Sequence, residues 1–432
     1  MKSKPFIIPR LDIFRQLTPD GRLLFTTRMV RLFAYGFLSV ILALYLVSVG
    51  LSDQQIGLLL TLTLVGDTVI SLLITTRADR IGRKTMLLVG ASLMILAGVV
   101  FAITGNYILL VLAATIGVIS PSGNEVGPFL SIEQASLSQL TPDERRTQLF
   151  AWYNLVGSFA TALGAVSGGL LSQVLQNAGI SHLASYRVVV LGYAVAGLVL
   201  VILFTRLSRT IEVPYRPVLS NQSEQVERKG FLGLHSSGMV VFKLAALFSL
   251  DAFAGGFVVQ SLVAYWFSKR YGVDPALLGA IFFGANILAG LSALSAAWVA
   301  SRIGLINTMV FTHLPSNILL ILVPIMPTLP LAITMLMLRF SISQMDVPIR
   351  QSYTMAVVAP DERSSASGIT GIARTIGASV APTFTGILLA NPLLINVPFF
   401  ISGVLKIIYD LIMYRSFRGI KPPEEARAQP RV

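Results

Sequence analysis

Twelve ionisable side chains stand inside stretches that are otherwise apolar. The bases are Arg31, Lys243, Arg339, Arg350, Arg374 and Lys406, and the acids are Asp67, Glu125, Glu133, Asp251, Asp346 and Asp410. At the centre of an apolar helix in lipid each would cost about 2.5–3.5 kcal/mol, so pairing, a wet cavity or function must offset it. Carboxylates offer proton exchange, and guanidinium groups offer two-pronged capture of a carboxylate or phosphate. Arg339, Asp346 and Arg350 fall at i, i+7 and i+11, on one helical face. Asn124, Glu125 and Glu133 cluster around Pro121 and Pro128, which favour an irregular, cavity-lining segment.

The remaining charges read more plainly. Asp67 has no local partner, which makes it a proton-site candidate. Arg31 and Lys243 lie early in their stretches and can snorkel to the surface. Lys406 and Asp410 are one turn apart and can satisfy each other. His313 reads as a hydrogen-bonded interior residue, and Trp152, Tyr153 and Asn154 as interfacial anchors. No metal-ligand cluster, nucleophile constellation or phosphate-binding Gly-x-x-x-x-Gly-Lys loop occurs, so no metal, no cofactor and no enzymatic activity are expected.

These side chains must be positioned by helices that cross a bilayer. The chain of 432 residues is 54% hydrophobic and only 12% charged, with mean hydropathy +0.76, against about 25% charged in a soluble domain. Apolar windows fall near 29–49, 55–76, 85–105, 107–138, 148–173, 187–206, 239–267, 277–299, 306–327, 329–357, 365–391 and 394–414, which predicts twelve spans. With the N-terminus inside, 24 Lys and Arg fall on inside segments and three, Arg187, Lys269 and Arg270, outside. That bias puts both termini in the cytoplasm. It also explains the net charge of +13 better than nucleic acid does, since no basic stripe carries stacking aromatics. The polar first 26 residues lack a cleavable signal, and the absence of cysteine excludes disulfides.

A polar stretch from about Leu207 to Gly238 splits the spans into two sets of six. Asn221-Gln222-Ser223 within it matches a glycosylation sequon, which its cytoplasmic side makes irrelevant. The expected organisation is 1–206 as the first bundle, 207–237 as a linker and 238–432 as the second bundle with its tail. The halves repeat each other at an offset of about 220 residues. Asp53-Gln-Gln-Ile-Gly57 answers Asp274-Pro-Ala-Leu-Leu-Gly279, and Arg80-Ile-Gly82 answers Arg302-Ile-Gly304. Glu125-Val-Gly-Pro128 answers Asp346-Val-Pro348, and Pro142-Asp-Glu-Arg145 answers Pro360-Asp-Glu-Arg363. Glu125 and Asp346 therefore match, as do roughly Glu133 and Arg350. Opposite charges at matched positions could bridge the bundles, or serve as ion pairs within them.

The loop Arg77-Ala-Asp79-Arg80-Ile-Gly82-Arg83-Lys84 resembles the signature loop between helices 2 and 3 of the major facilitator superfamily. The resemblance is close in this loop and extends over the chain by topology. The usual upstream glycine is missing, and Ser301 stands where the second copy would carry the aspartate. It implies that Asp79, Arg80, Gly82 and Arg83 form a cytoplasmic gate, with Asp79 and Arg83 latching the bundles when the outside is open. The plainer alternative is a basic loop that obeys topology. Gly157, Gly164, Gly168 and Gly169 in span 5 are similar to the antiporter-type glycine motif, with Ala165 in place of its proline. They read equally as close helix packing.

Eight of the twelve intramembrane charges lie on spans 1, 4, 7 and 10, which line the central cavity in that superfamily. The resemblance thus implies an all-helical fold of twelve transmembrane helices in two pseudo-symmetric bundles. The implied function is secondary transport of a small polar or anionic solute by alternating access, proton-coupled, with a slight preference for efflux. Asp67, Glu125, Glu133, Asp251, Arg339, Asp346, Arg350 and Arg374 are the expected solute and proton residues. A monomer in the bacterial inner membrane is the expected setting. A passive facilitator and a non-transporting sensor are the alternatives.

Overall fold

The computed structural model describes residues 17–125, 127–141, 143–212, 234–359 and 362–420. Each of the twelve apolar windows is a helix or a broken helix. Among the described residues nine helices pass as spans by length and composition: Asp53–Ile81, Arg83–Ile103, Leu149–Asn177, His182–Thr205, Gly238–Tyr271, Pro275–Ile303, Leu305–Ile325, Ser365–Leu389 and Val397–Phe417. Span 1 is the pair Pro19–Ser39 and Leu42–Val49, bent by 47°. Spans 4 and 10 are each interrupted, as Tyr107–Ile116 with Phe129–Leu140 and as Leu329–Phe340 with Asp346–Val357. The expected linker lies mostly outside the described residues; Leu207–Glu212 and Leu234–Ser237 are its described ends.

The breaks follow from local chemistry. Between the two helices of span 4, Gly123 and Gly127 adopt φ of 70° and 80°, and Pro128 precedes the restart. In span 10, Pro348 sits in the first turn of the second helix, where its missing N–H has no helical partner to lose. The repeat reappears as geometry. Spans 2 and 8 start on capped turns, Ser52 with Gln55 in a capping box and Asp274 accepting from Leu277 N. Both end at a glycine of positive φ, Gly82 at 120° and Gly304 at 86°.

Span 1 packs on spans 5 and 6 in one half, and span 7 on spans 11 and 12 in the other. Across the midline, span 2 packs on span 11 and span 5 on span 8. These crossings are backbone to backbone. A Cβ on Gly57 would lie 2.5 Å from Pro382 O, and one on Gly169 2.2 Å from Pro275 O. The polar contacts between halves include Thr383 N to Thr61 Oγ1 at 3.0 Å, Gln260 Nε2 to Ser39 Oγ at 2.8 Å and Ser261 N to Pro121 O at 3.0 Å. Lys269 and Tyr265 both bind Asp53. All of these lie toward the end of the molecule that carries the turns before spans 2 and 8, opposite the Arg77–Lys84 loop.

Candidate solute and ion site

The charges inside the helices form two separate networks, one per half. In the first half Arg31, fully buried, binds Glu133 through Nη1 at 2.7 Å and Nη2 at 2.8 Å, and Glu125 through Nε at 2.8 Å. Arg28 binds Glu125 at 2.7 Å and the Tyr153 carbonyl at 2.8 Å. Thr27 and the Tyr153 hydroxyl both donate to Glu133. Two guanidinium groups thus meet two carboxylates with further hydrogen bonds, the condition under which a buried ion pair offsets its desolvation.

This network corrects three readings of the sequence. Arg31 does not snorkel; it is buried because its helix begins at Pro19, ten residues before the apolar window. Tyr153 is no interfacial anchor, since span 5 starts at Asp143 and the ring is buried on Arg28, 4.0 Å from the guanidinium carbon. Glu125 does not bridge the halves, because Arg28 and Arg31 of its own half hold both its oxygens. Arg28 is the functional residue that the sequence reading missed. Thr18 and Pro19, a capping residue and a proline at the first helical position, were the signal that the helix starts early enough to include it.

In the second half Asp251 of span 7 is the hub. Lys406 Nζ lies 2.6 Å from one of its oxygens and Arg350 Nη1 2.9 Å from the other. Arg350 also stands 3.3 Å from Asp346. His313 Nε2 is 3.8 Å from Asp251, and His313 Nδ1 is 2.8 Å from Asp410, which Asn317 Nδ2 also binds at 2.9 Å. Lys406 and Asp410 therefore do not satisfy each other. The hub draws Lys406 away, and span 9 supplies the donors for Asp410. Spans 9 and 12 thus join the polar interior, which the sequence did not suggest. Lys243 is exposed, as expected of a snorkelling side chain.

Three expected residues carry no ion pair among the described residues: Asp67 in the first half, and Arg339 and Arg374 in the second. Arg339 Nε is buried without a hydrogen-bond partner, and its guanidinium carbon sits 4.9 Å from the centroid of the Phe340 ring. Asp67 is buried, with Oδ1 unpartnered.

At the Arg77–Lys84 loop, Asp79 Oδ1 accepts from Arg83 Nε at 2.9 Å within the same loop. Arg83 also binds Gln139 and the Ile211 carbonyl, while Glu212 receives the Arg83 and Lys84 amides at 2.6 and 3.1 Å. These contacts stay within the first half and the described start of the linker, and Arg80 is exposed. On the opposite half Glu362 receives the His235, Ser236 and Ser237 amides. Burial pushes the Glu362 carboxyl up, but bonds from the Ser237 hydroxyl and these amides outweigh it and hold it at about 2. Asp20, at the start of span 1, accepts from the Ser208 amide and hydroxyl and from the Thr210 hydroxyl.

The glycines of span 5 are close-approach points. Cβ atoms on Gly164 and Gly168 would lie 2.0 Å from Phe33 O and 2.2 Å from Phe37 O, so they seat span 5 on span 1. Gly157 faces Arg28, and Gly169 faces span 8.

The sequence description of the Major Facilitator Superfamily matches residues 24–382. The chain belongs to that superfamily. It is 32% identical over 431 residues, 94% of this chain and 96% of the relative, to the Saccharomyces cerevisiae protein named "Uncharacterized membrane protein YJR124C". It is 24% identical over 139 residues, 32% of this chain and 34% of the relative, to the quinolone resistance protein NorA of Staphylococcus aureus. Its fold is similar to that of a D-xylose–proton symporter, with TM-score 0.70 and 17% identity over 91% of this chain and 97% of the other. It is also similar to a bacterial homologue of the lysosomal transporter Spinster in an inward-facing state, with TM-score 0.69 and 15% identity over 96% and 98%. The protein is thus a multi-pass integral membrane transporter of this superfamily.

Proposed function

We propose that this transporter moves a small anionic organic solute, or a polar one with an anionic group, by proton-coupled alternating access. The carrying observation is the imbalance of charge in the second half. Asp251, Asp346 and Asp410 are engaged by Arg350, Lys406, His313 and Asn317, while Arg339 and Arg374 have no carboxylate within 4.0 Å among the described residues. In a low-dielectric cleft such a surplus attracts anions, and guanidinium groups suit carboxylate or phosphate. The conformation fits a cycle of alternating access. The halves are joined at one end, and the Asp79–Arg83 pair stays within one half at the other, which supports an inward-open form in which the Asp79, Arg80, Gly82 and Arg83 gate is released. Both termini then face the cytoplasm.

Efflux is favoured by the Gly164-Gly168-Gly169 packing and the partial similarity to NorA. Relatives in a yeast and in a bacterium make the bacterial inner membrane one of two settings consistent with the chain. A passive facilitator of the same solute is the second reading, favoured by the fact that five of the six intramembrane carboxylates are already paired with Arg, Lys or His. Flux in proteoliposomes separates the two. Uptake of organic anions that follows an imposed pH gradient and is lost in Arg339→Gln supports the proposal. Uptake that ignores the gradient supports the facilitator, and transport confined to cations refutes the anion reading.

A further inference from the structure

Asp67 differs from the other five intramembrane carboxylates. Arg28 and Arg31 are taken by Glu125 and Glu133, so the first half carries one surplus negative charge, and it sits at Asp67. Asp67 Oδ1 is buried without a hydrogen-bond partner, and the Ser71 hydroxyl, one turn on, lies against the same carboxylate. A buried carboxylate oxygen without a partner leaves a desolvation cost that a bound donor or cation would offset.

The break of span 4 lies against this pair. Helix Tyr107–Ile116 ends at Gly117, whose amide binds Ala113 O at 2.8 Å. The carbonyls beyond that point have no amide one turn further on within the helix. The Thr115 carbonyl is pressed on span 2 at Gly66, the residue before Asp67, since a Cβ there would lie 1.9 Å from its oxygen. Glycine at position 66 is what permits that approach. The Gly127 amide binds the Asp67 carboxylate, and Glu125 interacts with it from the same break. Tyr35 of span 1 and Tyr193 of span 6 also interact with it electrostatically, the Tyr193 hydroxyl being bound to the Val118 carbonyl. No positively charged side chain is paired with Asp67 among the described residues.

We propose that Asp67 and Ser71, with the carbonyl end of helix Tyr107–Ile116, form a binding site for a small monovalent cation, Na+ or a proton. Resting on the transport reading above, this is the site of the coupling ion. A carboxylate, a hydroxyl and helix-end carbonyls make an all-oxygen set for a hard cation, and unwound helix ends serve this purpose in membrane transporters. One negative charge calls for one positive charge. As a proton site, Asp67 takes H+ from water and its new O–H donates to Ser71 Oγ or to a helix-end carbonyl. As a sodium site, the same oxygens coordinate the ion.

Thermal unfolding of the full chain in detergent tests this without any solute. NaCl is exchanged for choline chloride at constant ionic strength and pH 8, and then pH 6 is compared with pH 8 in choline. A sodium site gives a rise of several degrees in Tm with Na+, absent in Asp67→Asn and diminished in Ser71→Ala. A proton site gives no sodium response but a pH-dependent Tm shift that Asp67→Asn reduces. Equal responses of wild type and Asp67→Asn to both ions overturn the proposal. If Asp67→Asn does not fold, Ser71→Ala and Asp67→Glu are read against wild type, and unchanged responses in both overturn it. If the cation response is present but solute flux ignores both gradients, the coupling reading falls and the site stands.

Discussion

Lys269 reaches across the midline to Asp53, Nζ to Oδ2 at 2.7 Å, and its ammonium also donates to the Leu389 carbonyl at 2.8 Å. Tyr265 adds a second bond to Asp53 at 2.6 Å. This is an ion pair between the halves at the joined end. Lys269 is about a third exposed, so the pair contributes only about 0.2–1 kcal/mol. Lys269→Met should therefore shift the population toward opening of this end by no more than about fivefold. Because the chain has no cysteine, spin labels can be attached at introduced cysteine pairs flanking the joined end. An unchanged distance distribution would remove Asp53–Lys269 from the set of gating contacts.

Glu133 and Asp346 should behave differently when neutralised. Glu133 is fully buried and accepts from Arg31 twice, from Thr27 and from Tyr153, so Glu133→Gln breaks a fully buried ion pair and leaves Arg31 with Glu125 alone, which Arg28 already shares. Breaking such a pair costs about 3–5 kcal/mol, and a large fall in Tm is expected. Asp346 has one ion pair, at 3.3 Å, to an Arg350 that Asp251 already holds. Asp346→Asn should leave Tm nearly unchanged and alter transport instead. Equal losses of Tm in the two variants would contradict the different roles assigned here.

Much of this was legible in the sequence, for reasons that differ by element. The twelve windows were readable because hydrocarbon imposes a length of apolar chain, and the break of span 4 falls where Pro121 and Pro128 favour an irregular segment. The break of span 10 was not readable: Arg339, Asp346 and Arg350 fit one helical face by spacing, but the helix stops at Phe340 and restarts at Asp346, so Arg339 stands on a separate helix from the other two. Charged residues were readable because they are expensive in lipid. Their partners were not. Lys406 and Asp410 are neighbours on one helix, yet Asp251 and His313 from other helices claim them. Pairing is decided by helix rotation and crossing, which a period in one chain does not encode. Arg28 was lost for a simpler reason, since hydropathy placed the first helix after it.

Asp251→Ala should destabilise the second half and be partly rescued by a second change. Lys406 and Arg350 both bind Asp251; without it Lys406 is left buried with no carboxylate within 4.0 Å among the described residues and Arg350 keeps only Asp346. A loss of about 3–5 kcal/mol is expected for the single variant. Lys406→Met alongside it removes one of the stranded charges and should restore part of the Tm. A double variant no more stable than Asp251→Ala alone would show that Lys406 finds another partner.

Glu362 gives a pH dependence whose sign can be worked out. Its carboxyl stands at about 2 in the folded protein against an ordinary 4.5, so the folded state favours the charged form. The stabilisation is fully present above pH 4.5 and is lost as the pH falls through the window from 4.5 to 2. Tm should fall on acidification in that window, and Glu362→Gln should lower Tm at neutral pH and flatten this part of the profile. A profile as steep in Glu362→Gln as in wild type would assign the acid sensitivity to other carboxyls.

The last prediction concerns the crossing of spans 2 and 11. Gly57 and Gly386 face each other there: a Cβ on Gly386 would lie 2.4 Å from Asp53 O and 2.9 Å from the Gly57 Cα. Neither neighbour is the end of a flexible side chain, so any side chain at position 386 must push two backbones apart. The crossing exists only while the halves are joined at this end. A bulky residue should therefore penalise the joined state more than one in which this end is open. Gly386→Val is expected to bias the protein toward opening at the Asp53 end and to stop the cycle, while leaving each half folded. Gly371, on the same helix with nothing within 4 Å of its would-be Cβ, provides the control, and Gly371→Ala should leave transport and Tm unchanged. Spin-label distances across the two ends decide the matter. A Gly386→Val protein that keeps the wild-type distribution at the Asp53 end and still transports would show that the crossing relaxes without cost, and the close packing of spans 2 and 11 would then have no part in holding this end shut.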